Sequence, residues 1–297
     1  MPQFRMIYGQ NKPVLSIELF PPKSEAGQAN LDQELLSLVR HRPAFISVTY
    51  GAGGSTRDKT LSLVQDIRRR FGATYGLEAV PHFTCVGSSR QDVRDYVDQA
   101  IAQGARNMVV LRGDPPAGAT QFQPAPDGLR HADELVAFIR AHTDQLDLAV
   151  AGYPEGHVEC RHLEQDVANL KRKVDAGASV VLTQLFYDND DFYRFRDVAS
   201  RQGITIPIIP GIMPITRFSQ IQRITALCGA RIPDALAEGL MAHADGTDDQ
   251  QQVGVDYAIE QCRDLLEHGV PGLHIFTLNK GRATSRLVDA LGAYFAG

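Results

Sequence analysis

The chain has no tryptophan among its 297 residues, so a flat ligand would have to stack on tyrosine, phenylalanine or histidine. Cysteine is scarce: Cys85, Cys160, Cys228 and Cys262 are widely spaced and form no CxxC pair. That favours buried, reduced thiols over a disulfide framework or a zinc site. Positive charge is not in excess, with 30 Lys and Arg against 35 Asp and Glu for a net charge of −5. Neutralising the phosphates of a duplex needs the opposite balance, so nucleic acid is disfavoured as a partner. No run of about 18 apolar residues is present to span a bilayer. The opening residues MPQFRMIYGQNKP lack the apolar centre of a secretory signal, and a cytoplasmic protein is expected. The histidines show no HExxH or similar ligand spacing, so no metal site is expected.

What recurs along the chain is a short β-branched run, a polar or Gly/Pro turn, and an amphipathic helical stretch. The runs predict strands at about 14–20 (VLSIELF), 45–50 (FISVTY), 77–85 (LEAVPHFTC), 107–113 (NMVVLRG), 148–154 (LAVAGYP), 180–186 (VVLTQLF), 206–212 (IPIIPGI) and 272–279 (GLHIFTLN). Helical patterns such as DVRDYVDQAIAQG and QDVANLKRKVDAG end in Gly, as a C-cap requires. Ser89 and Asp92 have the spacing of a capping box. Eight strands, each followed by a helix, give the count of a (β/α)8 TIM barrel, an α/β fold. The expected organisation is one catalytic barrel over 1–297. A helical insertion at about 228–270 precedes the last strand and holds the acidic stretch HADGTDDQQ. No regulatory domain is expected after the barrel.

Strand side chains alternate between faces, and in a barrel one face meets the helices while the other fills the interior. Leu15, Ile17 and Leu19 suit the helix layer, which turns Val14, Ser16, Glu18 and Phe20 inward. Ile46 and Val48 outward place Ser47 and Thr49 inward. Val109 and Leu111 are read as outward, with Arg112 inward and Asp114 in phase. Val181 and Leu185 outward leave Gln184 inward. His82 and Thr84 share one face, as do Thr277 and Asn279. These polar groups fall at the C-terminal strand ends, where enzymes of this fold carry their sites.

Several motifs have a plain reading beside a functional one. Gly51-Ala-Gly-Gly-Ser-Thr56 lacks the third glycine of a dinucleotide fingerprint and reads better as a tight loop that lets a ligand approach backbone. Arg112-Gly113-Asp114 combines a fork for phosphate, close backbone approach and an acceptor. Asp166, Asn169, Arg172 and Lys173 lie near one helix face and suit a ribose and pyrophosphate, though a solvated helix face is the plainer reading of the spacing alone. Tyr50, Tyr153, His157, Phe186 and Tyr187 are strand-end aromatics available for stacking or for the core.

Taken together, SIELFPPK (16–23), SVTYGAGGSTRDKT (47–60), PHFTC (81–85), LRGDPP (111–116), AGYPEGHVE (151–159), NLKRKVDAGA (169–178), TQLFYD (183–188), IIPGIMPI (208–215) and HIFTLNK (274–280) closely resemble the methylenetetrahydrofolate reductase family. The match runs from the first strand to the last. It implies a flavin-dependent barrel with FAD held non-covalently by Thr49, Tyr50, Ala52, His82, Arg112, Gly113, Asp114, Tyr153, His157, Asp166, Asn169, Arg172 and Lys173. Gln184, Gln220 and Lys280 would face the folate or the nicotinamide. The implied reaction is ping-pong reduction of 5,10-methylenetetrahydrofolate to 5-methyltetrahydrofolate by NADH or NADPH. Glu18 would be the general acid and Asp114 a carboxylate near the cationic folate intermediate. A carboxyl shielded among apolar neighbours, as Glu18 is beside Leu19 and Phe20, suits a proton donor.

Two positions depart from the pattern. Lys280 stands where many bacterial members have Arg, and Lys cannot fork onto a carboxylate. Ile224 stands where some members have Phe, so no stacking role carries over. The resemblance also implies a homo-oligomer. Two other readings of the residues stay open: a non-redox pterin-binding barrel that transfers a methyl or one-carbon group, and a ligand-binding barrel without catalysis.

Overall fold

The computed structural model describes residues 2–22, 24–50, 57–115 and 122–295. Eight parallel strands close into a barrel in sequence order: β1 (Val14–Leu19), β2 (Phe45–Val48), β3 (Glu78–Thr84), β4 (Asn107–Leu111), β5 (Asp147–Gly152), β6 (Val180–Leu185), β7 (Ile208–Ile212) and β8 (Gly272–Phe276). The helices are α1 (Phe4–Ile7), α2 (Glu25–Val39), α3 (Arg57–Ile67), α4 (Ala73–Tyr75), α5 (Arg90–Ala102), α6 (Ala132–His142), α7 (Leu163–Asp175), α8 (Asn189–Arg201), α9 (Phe218–Cys228), α10 (Asp234–Met241), α11 (Asp248–Glu267), α12 (Gly281–Ala290) and α13 (Gly292–Phe295). A π-helical turn, Arg68–Gly72, joins α3 to α4. The (β/α)8 architecture read from the strand count is the one observed.

Local sequence accounts for many boundaries. The Ser89 hydroxyl accepts from the Asp92 amide and the Asp92 carboxylate from the Ser89 amide, a complete capping box on α5. Gly104 and Gly177 follow α5 and α7 with φ of +90° and +117°, the left-handed backbone that glycine adopts without penalty. Most strands end one to three residues earlier than the apolar runs suggest. The surplus residues, Thr49 and Tyr50 among them, lie just past the strand ends and line the barrel mouth.

Ile17, Leu19, Ile46 and Val48 pack outward with residues of α2 and α3. Val14, Phe45, Val80, Val109, Ala149, Val180, Leu182 and Ile209 fill the interior. The phase read for β4 is therefore corrected: Val109 faces inward and Leu111 lines the cavity, while Met108 and Val110 meet the helices. A parallel strand buried on both faces is apolar throughout, so NMVVL carries no alternation from which to pick a face.

The N-terminal turn α1 closes the bottom of the barrel. Phe4 lies edge-on to Phe45 at 5.2 Å between ring centroids, and its amide donates to Asn107 Oδ1 at 2.7 Å. Arg5 pairs with the fully buried Asp147 at 2.8 Å. With that end plugged, the C-terminal mouth is the open one.

Candidate active site

A cavity of about 520 Å³ opens at the mouth. Val109, Leu111, Ala151, Leu182, Leu185, Met213, Ile224, Phe276 and Leu278 form its apolar wall, and Glu18, Thr49, Tyr50, His82, Arg112, Gly113, Asp114, Tyr153, His157, Thr183, Gln184 and His274 bring polar groups to it. A wider cleft of about 920 Å³ lies outside the barrel between α2 and α3, and its Asp32, Asp66 and Arg70 are tied together in ion pairs.

Glu18 is the most enclosed carboxyl in the mouth, at 8% exposure. Its Oε2 lies 3.6 Å from His82 Nε2 and 3.5 Å from His274 Nε2. Neither of those buried nitrogens has a hydrogen-bond partner. Burial pushes the His82 imidazole down to about 4, against the opposing pull of Glu18, so His82 is neutral at physiological pH. His274 Nδ1 lies 2.8 Å from the Ser16 hydroxyl, and its ring stacks on Phe45 at 5.9 Å.

The Glu18 backbone is clamped as well. The Thr277 amide and hydroxyl donate to the Glu18 carbonyl at 3.4 Å and 2.9 Å. Asn279 accepts from the Phe20 amide and donates to the Phe20 carbonyl, both at 2.8 Å. Leu278 and Asn279 hold left-handed backbone, φ +50° and +57°, strain of the kind concentrated at functional sites. The β1–β8 seam thus fixes the height of Glu18 in the mouth.

Arg112 forms a two-pronged pair with Glu159, Nη1 to Oε2 at 2.5 Å and Nη2 to Oε1 at 2.9 Å, and lies 5.2 Å above the Phe122 ring. The guanidinium holds the Glu159 carboxyl below the usual range. Gly113 turns the chain at φ +87°. A Cβ there would stand 2.6 Å from Val86 Cγ1 and 2.9 Å from Thr84 Cβ, so only glycine lets the backbone pass. This turn delivers Arg112 and Asp114 to the rim although β4 runs in the opposite phase to the one read.

The four polar residues of α7 divide. Lys173 donates to the Ala151 carbonyl at 2.6 Å, and its ammonium is 5.8 Å from the Tyr153 ring centroid. Burial brings this amine down to about 8, opposed by Asp166. Asp166 is buried; desolvation pushes its carboxyl up, while Lys173 and the His157 amide pull it down. Asn169 accepts from Gln165 at 3.3 Å, and the exposed Arg172 donates to Asp133 at 3.3 Å. None of the four lines the main cavity itself. Asp166 and Lys173 stand directly behind Ala151, Tyr153 and His157, which do. Tyr153 packs edge-on to His157 at 4.7 Å, and burial pushes the Tyr153 phenol up.

Gln184 lines the wall, its side-chain oxygen accepting from the Leu185 amide at 2.8 Å; Leu185, read from the sequence as outward, lines the cavity too, just past a register shift in the β6–β7 ladder. Gln220 and Lys280 lie together outside the residues that line the cavity, with Lys280 Nζ 3.5 Å from Gln220 Oε1 and 3.4 Å from Thr216 Oγ1. Ala52, with the glycine-rich stretch 51–56, lies outside the described residues. Sequence reasoning named neither His274 nor Glu159. The fold brings each to its partner across 256 or 47 residues, 274 − 18 and 159 − 112, separations no local pattern reveals. Among the described residues, no group of three His, Cys, Asp or Glu is placed to hold a metal ion, and no helix is long and apolar enough to cross a membrane.

Comparison with known proteins places this site in a family context. A family model described as methylenetetrahydrofolate reductase matches residues 3–292. A Zea mays protein named methylenetetrahydrofolate reductase (NADH) 1 is 37% identical over 294 residues, covering 96% of this chain and 49% of that one. An Escherichia coli (strain K12) protein named 5,10-methylenetetrahydrofolate reductase is 35% identical over 278 residues, covering 94% and 90%. The chain thus spans about half the length of the plant relatives it matches. Among solved structures, a Clostridium thermocellum protein described as binding two copies of 5-methyl-5,6,7,8-tetrahydrofolic acid superposes with a TM-score of 0.67. It is 12% identical and covers 98% of both chains, a likeness of fold alone.

Proposed function

This chain belongs to the methylenetetrahydrofolate reductase family, and from that premise we propose that it reduces 5,10-methylenetetrahydrofolate to 5-methyltetrahydrofolate in a ping-pong cycle, with FAD at the barrel mouth and NADH or NADPH as the electron source. The observation that carries the reading is Glu18: an enclosed carboxyl at the floor of a largely apolar cavity, flanked by two imidazole nitrogens without partners.

The residues present fit a flavin dinucleotide. Val109, Leu111, Ala151 and Leu182 offer apolar wall to a ring system, and the glycine turn at Gly113 leaves room a side chain would fill. Arg112 and Lys173 supply two cations for a pyrophosphate, with Asp166 and Asn169 beside them for hydroxyl groups. Thr49, Tyr50, His82, Asp114, Tyr153, His157 and Arg172 complete the proposed set, together with Ala52. When bound, the flavin would carry two electrons from nicotinamide to folate.

The chain's own groups would manage charge and protons. Glu18 gives a proton to the folate N10 as the five-membered ring opens. Neutral His82 presents a nitrogen, not a cation, to the carboxyl, and so does not compete with an incoming positive charge. Asp114, exposed at the rim, stabilises the positive charge that develops on the opened folate. Gln184 can donate and accept, and so serves either a carboxamide or a pterin edge. Gln220 and Lys280 hold the substrate. The Clostridium thermocellum protein of similar fold, described as binding 5-methyl-5,6,7,8-tetrahydrofolic acid, is consistent with a folate ligand on a barrel of this kind.

The test is a spectrum. Protein reconstituted with FAD should be yellow, bleach anaerobically with NADH or NADPH, and recover colour on addition of methylenetetrahydrofolate. Failure to take up flavin, or one-carbon transfer without any flavin bleaching, would refute the proposal and favour a non-redox pterin barrel.

A further inference from the structure

The acidic stretch before the last strand has no part in the chemistry above, yet it bonds to a helix that does. Helix α9 carries Ile224 in the cavity wall and, one turn earlier, Gln220 beside Lys280. Its own sequence starts it badly. The N-cap is Arg217, which makes no side-chain cap, and no acidic residue stands in the first turn. The first amides of a helix need acceptors from somewhere.

The insertion supplies them. Gln250 Oε1 accepts from the Phe218 amide at 3.1 Å. Asp245 accepts from the Ser219 amide at 3.1 Å and from the Ser219 hydroxyl at 2.6 Å. Gln250 is 1% exposed. Its oxygen also accepts from the Gly246 amide at 2.8 Å, and its amide nitrogen donates to the Leu240 carbonyl at 3.0 Å. One buried side chain thus ties the start of α9, the end of α10 and the acidic loop together. The dock is close: a Cβ on Gly254 of α11 would fall 2.2 Å from the Ile215 carbonyl oxygen, in the loop that leads into α9.

We propose that Asp245 and Gln250 are positioning residues for the substrate wall. The insertion caps α9 from outside its own sequence and so sets where Gln220 and Ile224 stand over the cavity. This rests on the folate-reductase reading of the site. It assigns the insertion a role in substrate affinity rather than in holding the cofactor, whose proposed residues lie on β2 to β5, α7 and their loops.

The experiment uses the full chain reconstituted with FAD and pre-reduced by NADH, and follows reoxidation against methylenetetrahydrofolate concentration. Asp245→Ala should raise the half-saturating folate concentration about fivefold, the worth of one helix cap. The limiting rate and the FAD Kd should stay within about twofold, the pattern of lost uniform binding. Asp245→Asn keeps an acceptor for the Ser219 amide and should restore near-wild-type saturation. Asp249→Ala, on the exposed face of the same stretch, should change nothing. An unchanged folate dependence in Asp245→Ala, or a parallel loss of FAD affinity and melting temperature, overturns the proposal. Wild-type protein that binds FAD but is not reoxidised by the folate overturns the functional reading, and this one with it.

Discussion

Replacing Glu18 by Gln separates the two halves of the proposed cycle. The substitution keeps the side-chain volume and removes the transferable proton. The backbone should not move, because the Thr277 amide and hydroxyl still hold the carbonyl at residue 18 and Asn279 still holds Phe20. Two neighbours are poorly placed to stand in as acid. His82 is held near 4 and is neutral, and Asp114, the other carboxyl that lines the cavity among the described residues, is out at the exposed rim. At 8% exposure, position 18 also admits little bulk water. A positioned acid contributes at least about 10²-fold, which corresponds to about 2.7 kcal/mol of barrier. Reoxidation of the reduced flavin by methylenetetrahydrofolate should therefore slow by that factor or more. FAD uptake and flavin reduction by NADH or NADPH, which need no acid at the folate, should stay near wild type. Stopped-flow absorbance of each half-reaction gives the answer. Normal folate-driven reoxidation in Glu18→Gln would show that another group is the acid, and loss of flavin or of folding would mark Glu18 as a structural residue.

Four further outcomes follow from other parts of the site. Burial sets the Lys173 amine at about 8 against an ordinary 10.5, so FAD affinity measured by flavin fluorescence should fall as pH rises through 8, and this dependence should flatten in Lys173→Met. The same depression lets FAD-free wild type gain stability relative to Lys173→Met as pH rises from 8 to 10.5, where the unfolded chain binds the Lys173 proton that the folded one has lost; parallel pH trends in denaturant series of the two proteins would contradict the burial argument. Glu159→Gln frees the Arg112 fork from its internal carboxylate, and because exposed pairs are worth up to about 1 kcal/mol, the FAD Kd should fall by up to about fivefold with a steeper salt dependence; an unchanged or weaker Kd would count against competition for the fork. Gly113→Ala forces a Cβ to 2.6 Å from Val86 at φ +87°, which should cost about 2 kcal/mol in urea unfolding and weaken FAD binding; full stability would mean the turn can relax.

The sequence by itself determined the barrel. Eight apolar runs separated by helical periods leave few other ways to bury a chain of this length, and local signals such as the Ser89–Asp92 box and the glycines at 104 and 177 mark helix ends by chemistry confined to a few residues. It also exposed the inward phase of β1, where polar Ser16 and Glu18 alternate with Leu15, Ile17 and Leu19. In β4 that contrast is missing, and only packing decided that Val109 faces in. Tertiary structure alone decided the partners. His274 meets Glu18 because the first and last strands are neighbours in a closed barrel, Glu159 meets Arg112 because adjacent strand-end loops converge, and Gln250 caps a helix that begins 32 residues earlier. Periodicity reports which face of an element is buried, and it holds no record of what lies against that face. Contacts made across the closure of the barrel are set by the register of the strands and the reach of the loops, and so they exist only once the whole chain has folded.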